Sequence, residues 1–334
     1  MKIVAPISRV EEVEPLAKAG AAEIYCGIVP PEWTERFRSS GANRRAFGNL
    51  SSYDDLAAVI DLADRHEVAV SLVMNAQHYG EAQTEALLDM AGRFAELGGR
   101  SLIVGDVGLL SRLGRAETGL RLHASSLLAC RNGEAAGFLG DLGACRVVFP
   151  RDLTLAEMKA VAGANRPLEF EAFILNDGCV FEEGNCHTIH LPGRLGGPIC
   201  LDRYDAEHRR VDGRPLRDDE AAGFAANDAA HAEWLWYRFS CGFSVSQDGY
   251  PFGPCGLCAI PDLAAAGVSA IKIAGREGNL ERKVNSVAMV KAALDRLNDA
   301  AGLRRFARDL RGRPDLCETG FMCYYRETMP ARVW

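Results

Sequence analysis

Ser269-Ala270-Ile271-Lys272-Ile273-Ala274 is the stretch on which the fold turns. It is short, largely apolar and bounded by Gly267 and Gly275, with a helix-like segment before it (Asp262–Ala266) and a long amphipathic pattern after it (Glu281–Leu297). Seven upstream segments have the same character: Lys2–Ile7, Glu23–Ile28, Val68–Asn75, Ser101–Asp106, Arg121–Ser126, Arg146–Pro150 and Leu168–Leu175. Each is rich in Val, Ile or Leu, as parallel strands buried on both faces are. The late stretch makes eight strands, the count of a (β/α)8 TIM-like barrel in the α/β class.

Helical patterns fill the gaps. Val10–Ala19 leads into Gly20, and Ser51-Ser52 opens a capped helix that reaches about His66. Glu81–Leu97 ends at Gly98-Gly99, and shorter patterns lie near 131–140 and 154–162. Residues 1–300 are thus expected as a single barrel domain, with a cysteine-rich, cluster-binding insertion at 177–258 between strands seven and eight. Residues 301–334 form a C-terminal extension. The insertion is rich in Gly and Pro and poor in helical pattern, and a connection that long needs an organiser.

At 334 residues the chain can bury a large core in one domain. A net charge of −7 argues against a broad nucleic-acid-binding face. Arg304, Arg305, Arg308, Arg311 and Arg313 cluster late in the chain and read as a solvated helix face. No apolar run reaches the roughly 18–20 residues of a membrane-spanning helix. The start Met1-Lys-Ile-Val-Ala-Pro lacks the pattern of a secretory leader, so a cytoplasmic protein without stable disulfides is expected.

Six of the eleven cysteines fall in the insertion: Cys179, Cys186, Cys200, Cys241, Cys255 and Cys258. Thiols crowded into loops bind something, and an iron–sulfur cluster is the favoured ligand because it requires thiolates. Zinc fits less well, since in this group Cys255/Cys258 alone makes a short pair. Cys26, Cys130 and Cys145 lie in or beside apolar runs and read as core thiols.

Barrel active sites lie at the C-terminal strand ends. Those ends carry Tyr25/Cys26, Asn75/Gln77/His78, Asp106, His123/Ser125/Ser126, Arg151/Asp152, Asn176/Asp177 and Lys272/Arg276/Glu277. From these, Asn75, His123, Asn176, Lys272 and Arg276 are the candidate catalytic residues, expected to share one cavity with the cluster at the barrel mouth. His123 could serve as a base or hydrogen-bond donor. Lys272 would face the interior and need a partner such as Glu171 or Asp106. Arg276 and Arg151 suit a carboxylate. Trp234, Trp236 and Tyr237 read either as core of the insertion or as a pocket for a planar substrate. No nucleotide-binding motif is present, nor His-Glu-x-x-His or Gly-x-Ser-x-Gly.

Six segments in one order resemble the collagenase-like peptidase U32 family. They are Glu11–Ile28, containing Ala-Gly-Ala-Ala-Glu-Ile-Tyr; Val70–Asn75; Leu122-His-Ala-Ser-Ser126; Phe149–Glu157; Glu169–Phe173; and Gly267-Val-Ser-Ala-Ile-Lys-Ile-Ala-Gly-Arg276. Several members of that family look like iron–sulfur proteins of oxygen-independent hydroxylation, acting on ubiquinone precursors, a tRNA wobble uridine or a ribosomal cytidine. The resemblance implies a [4Fe-4S] cluster held by Cys179, Cys186, Cys200 and Cys255, with Cys258 and Cys241 as alternates for the fourth place. It departs from the family pattern at Ala274 and at Leu195-Gly-Gly, which points to a subgroup with its own substrate. The expected activity is therefore redox hydroxylation of a small aromatic or carbonyl molecule. The partners in view are that substrate, an electron donor and a homologous subunit in a heterodimer, with RNA less expected. Peptidase activity, with Ser125 near His123, and a non-catalytic cluster-carrying subunit are the alternatives.

Overall fold

The computed structural model describes residues 1–37, 41–45, 47–179, 182–186, 206–236, 253–312, 317–318, 320 and 323–329. Eight parallel strands close into a barrel: β1 (Lys2–Pro6), β2 (Glu23–Ile28), β3 (Ala69–Met74), β4 (Ser101–Val104), β5 (Arg121–Ala124), β6 (Ala144–Val148), β7 (Glu169–Leu175) and β8 (Ala270–Ile273). Neighbours follow chain order, and β1 closes the ring by pairing with both β2 and β8. A two-residue strand, Asn49–Leu50, adds to the end of β2. The chain thus folds as a TIM-like barrel, as its strand pattern implies.

Helices α1 (Val13–Ala19), α2 (Pro31–Phe37), α3 (Tyr53–Arg65), α4 (Glu81–Glu96), α5 (Val107–Arg115), α6 (Gly133–Asp141) and α7 (Leu155–Ala164) alternate with the strands. Their starts are written in the sequence. Ser52 Oγ accepts from Asp55 N at 3.0 Å and Asp106 Oδ1 from Leu109 N at 2.7 Å. Thr154 and Glu157 form a reciprocal capping box. Asp106, read above as a strand-end site residue, is therefore the cap of α5. The apolar core lies between strands and helices, with Leu72, Phe94, Phe149 and Phe170 among its fully buried members.

Between β7 and β8 the insertion contains a long helix, α8 (Asp218–Trp236), which corrects the expectation of a stretch poor in helix. It is rich in alanine, a strong helix former, and opens on Asp218, Asp219 and Glu220, which complement the helix dipole. Residues 218–233 are solvent-facing apart from a half-buried Glu220, so no apolar stripe announces the helix. Short α9 (Ile260–Ala265) precedes β8, and α10 (Leu280–Leu294) and α11 (Ala300–Arg311) follow it. In α11, Arg304 pairs with Asp262 at 2.8 Å and Arg311 is 2 % exposed with Nη2 donating to Gly253 O at 2.9 Å. That corrects the reading of a wholly solvated arginine face.

The barrel lumen is polar. Arg146 of β6, 1 % exposed, reaches across to Glu23 of the opposite strand β2 at 2.5 Å and also meets Glu169 at 2.7 Å and Glu171 at 3.0 Å. Lys272 pairs with Glu171 at 2.7 Å, and Ser71 and Ser101 share a hydrogen bond at 2.6 Å. Above and between these, Val4, Tyr25, Val73, Ile103 and Ala270 fill the bore.

Candidate functional site at the barrel mouth

Loops after β2, β3, β7 and β8 cover the C-terminal mouth. Asn176 and Asp177, at the end of β7, take left-handed conformations (φ 67° and 44°), which Asn and Asp tolerate better than most residues. The turn throws the chain across the mouth toward Cys179. Residues 182–186 are then tied down from several sides. Arg44 Nη1 donates to Glu183 O at 2.7 Å, and Gln77 Nε2 to Gly184 O at 2.8 Å. Arg151 Nη1 lies 2.7 Å from Glu183 Oε1, and Arg131 Nη2 lies 3.2 Å from Glu182 Oε1. Glu182 in turn accepts from Gly184 N at 2.7 Å.

Cys179 and Cys186 flank this tied segment. Burial lowers the affinity of the Arg44 guanidinium for its proton, while Cys186, Glu183 and Cys179 work against that, so both thiols stand within electrostatic reach of one cation. A cation beside paired thiols suits anionic sulfur ligands. Thiols of this kind are what an iron–sulfur cluster takes; of the other expected ligands, Cys200 and the alternate Cys241 lie outside the described residues, while Cys255 and the alternate Cys258 are described and partly buried.

The expected catalytic residues divide by depth. Asn75, Asn176 and Arg276 are at the mouth. Asn75 Oδ1 accepts from Arg44 N at 3.2 Å, and Asn176 bridges Arg282 at 3.2 Å and Ser286 at 3.0 Å. Arg276 Nη2 donates to Asn43 Oδ1 at 2.8 Å and Nη1 to Asn49 Oδ1 at 3.1 Å, so its fork holds the 43–49 loop. Gly27 makes room for it, since a Cβ there would fall 2.2 Å from Arg276 Nη1. Lys272 and His123 instead lie down inside the lumen. Lys272 pairs with Glu171, the first of its two expected partners, and its Nζ sits 4.2 Å from the centre of the Tyr25 ring.

His123 is 2 % exposed, and its Nε2 has no hydrogen-bond partner. Burial, reinforced by Arg146, lowers its pKa to about 4, so it is a neutral imidazole. Ser125 Oγ caps the following 3-10 turn by accepting from Leu127 N at 3.3 Å. Cys26 and Cys130 are fully buried, as core thiols should be, while Cys145 is half-buried with its Sγ 3.4 Å from Leu122 O. The side chains of Trp234, Trp236 and Tyr237 lie outside what the structure describes.

One component escaped the sequence reading: the C-terminal segment folds back onto the mouth. Tyr324 donates to Asn176 O, packs its ring 6.4 Å from Phe173 and contacts Val148 and Ala274 through that cluster. Tyr325 OH donates to Phe173 O at 2.7 Å. Beside them Arg151 stacks its guanidinium 3.6 Å over Phe173, with its Nε buried and lacking a hydrogen-bond partner. Adjacent tyrosines after a cysteine, Cys323-Tyr324-Tyr325, were the available signal.

The family model of peptidase family U32 matches residues 8–330. The chain belongs to this family. Among U32 relatives, it is 28 % identical over 150 residues to the 23S rRNA 5-hydroxycytidine C2501 synthase of Escherichia coli (strain K12), a match covering 45 % of this chain and 22 % of that one. It is 19 % identical over 298 residues to tRNA hydroxylation protein P1 of Bacillus subtilis (strain 168), covering 88 % of this chain and 63 % of the relative. The matches thus span less than two thirds of either relative's length. A solved U32 peptidase structure aligns at 15 % identity with a TM-score of 0.43, over 52 % of this chain and 68 % of that one. U32 proteins thus include RNA-hydroxylation proteins among this chain's relatives. Among the described residues of this U32 chain, no helix is long and apolar enough to cross a membrane.

Proposed function

We propose that this chain is an iron–sulfur enzyme that hydroxylates a small aromatic or carbonyl compound without using dioxygen. The observation that carries this reading is the Cys179–Cys186 loop, pinned across the barrel mouth by Arg44, Gln77, Arg131 and Arg151 with a cation beside both thiols. Cys179, Cys186 and Cys200 would hold the cluster with a fourth thiol from Cys241, Cys255 or Cys258, and the bound cluster would supply one-electron transfer. The protein's own groups would bind and orient the substrate. Phe173 and Tyr324 pack beside Arg151 and fix its position, and the unused Arg151 Nε–H is a donor for a carbonyl oxygen. The lumen below is blocked by the Arg146 network, which confines the substrate to the mouth.

Two other readings have specific support. The named relatives act in RNA hydroxylation, so the ring could belong to a nucleobase; the net charge of −7 weighs against a wide RNA-binding face. Peptidase activity has less support. Ser125 Oγ is occupied with Leu127 N, and His123 Nε2 has no hydrogen-bond partner, so they do not form a nucleophile–base pair.

Mass spectrometry of small-molecule pools and of total-RNA nucleosides from anaerobically grown cells, with and without the gene, tests the proposal. The expected result is loss of one oxygenated small molecule on deletion, restored by the wild-type chain and not by Cys186→Ala. A deficit confined to an RNA nucleoside would move the substrate to RNA. Unchanged pools together with protein hydrolysis that survives Cys186→Ala would overturn hydroxylation.

A further inference from the structure

Cys255, Cys258, Cys317 and Cys323 line one cavity of about 40 Å³, together with Arg308 and Arg311. Two chain segments bring them there. Cys255-Gly-Leu-Cys258 leads from the insertion into α9, and its backbone is stitched to β7 through Gly256 N to Ile174 O at 2.7 Å. Cys317 and Cys323 come from the C-terminal segment, where Cys323 bridges Cys255 in parallel and Tyr324 N donates to Cys255 O at 2.9 Å. Cys258 stands within electrostatic reach of the other three thiols.

We propose that these four cysteines form a tetrathiolate site for one structural metal ion of the zinc type, separate from the thiols at the barrel mouth. Cys255 and Cys258, with two residues between them, have the pair spacing of closed zinc sites, and Cys317 and Cys323, with five between, supply a second and wider pair. The cavity has room for a single ion among the four sulfurs. Among the described residues no set of three ligands is already drawn into a cage, so binding requires the four sulfurs that line the space to move in on the ion. Binding converts four thiols to thiolates and releases their protons to solvent, with no change of oxidation state. A divalent ion with four thiolates keeps a net charge of about −2, and Arg308 and Arg311 lie at the cavity to balance it.

The ion would staple the C-terminal segment to the end of β7, and so set Tyr324 in the mouth beside Arg151. It would also occupy Cys255 and Cys258, which leaves Cys241 as the fourth thiol of the 179–258 group for a mouth cluster.

The test is metal analysis of the full chain purified without air, with zinc and iron counted separately. The expected result is about one zinc per chain, with four sulfur neighbours at about 2.3 Å by X-ray absorption. Cys258→Ser and Cys317→Ser should each lower zinc to under about a tenth and leave iron unchanged, while Cys186→Ser leaves zinc in place. Cobalt(II) added to chelator-stripped wild type should give thiolate-to-cobalt charge-transfer absorption, a readout that does not depend on a variant folding. Absence of both zinc and the cobalt signal would overturn the proposal. So would loss of iron in the Cys258 and Cys317 variants to the same extent as in Cys186→Ser, which would place all these thiols around one cluster.

Discussion

Arg151 and Glu183 join the end of β6 to the cysteine loop, with Nη1 2.7 Å from Oε1 and the two side chains 15 % and 5 % exposed. Neither Arg151 Nε nor Glu183 Oε1 has an aligned hydrogen bond, so the tie is one charge held against another in a nearly dry site. Glu183→Gln would leave the guanidinium buried without its counter-charge. The expected cost is about 3 kcal/mol in urea unfolding, with faster proteolysis within 176–186. An unchanged midpoint and cleavage pattern would mean that Arg44 and Gln77 suffice to hold the loop.

Acid should weaken the fold through Glu23. Burial alone would raise its carboxyl pKa, but Arg146 and Lys2 outweigh burial and bring it from 4.5 to about 2. The folded value is the lower one, so the stabilisation is complete above about pH 4.5 and is lost as pH falls from there toward 2. The amount is about 3 kcal/mol. Arg146→Met should destabilise by about 3–5 kcal/mol at neutral pH and flatten the acid slope, measured by denaturant titration at stepped pH. A slope unaltered by the substitution would show that other carboxylates govern acid unfolding.

His123 should behave as a base the fold keeps unprotonated. Its pKa falls from 6.5 to about 4, so its contribution is intact above 6.5 and declines as pH drops through that window. In a proton NMR titration its ring signal should stay fixed between about pH 8 and 5.5. Movement of the His123 signal near neutrality would return it to the list of candidate general bases.

The cysteines should separate by position when iron is counted. Cys186→Ala should abolish iron binding, and about four irons per chain should remain in Cys130→Ala, because Cys130 is a core thiol. The Cys130 change should instead cost about 1 kcal/mol in stability. Equal iron loss in both would show that this sorting is wrong.

The barrel was legible because its strands are apolar runs between glycines and helix caps, and that pattern is local. The mouth was legible in part: strand order brings Asn75, Asn176 and Arg276 to one end. Depth was not, and His123 and Lys272 sit inside because strand alternation turns them inward. Charged positions in otherwise apolar strands, such as Glu23, Arg146, Glu171 and Lys272, were the sign of a polar lumen, but their partners lie on strands far apart in sequence. Helix α8 escaped because an alanine-rich helix facing solvent has no apolar stripe to read. Cys317 and Cys323 escaped because they follow the last barrel helix, and only the return of the chain places them beside Cys255 and Cys258.

The strut from Arg146 to Glu23 also acts as a proofreader of strand order. It spans the full bore between opposite strands, so it can form only when the intervening strands on either side are all in place and in step. A slip of β6 by two residues would move the guanidinium about 7 Å along the axis, away from the buried Glu23 and Glu171 and the half-buried Glu169. An oily bore would forgive that error at the cost of some packing. This one rejects a mis-threaded barrel outright, so its outer core is free to vary in apolar detail while the circumference stays fixed.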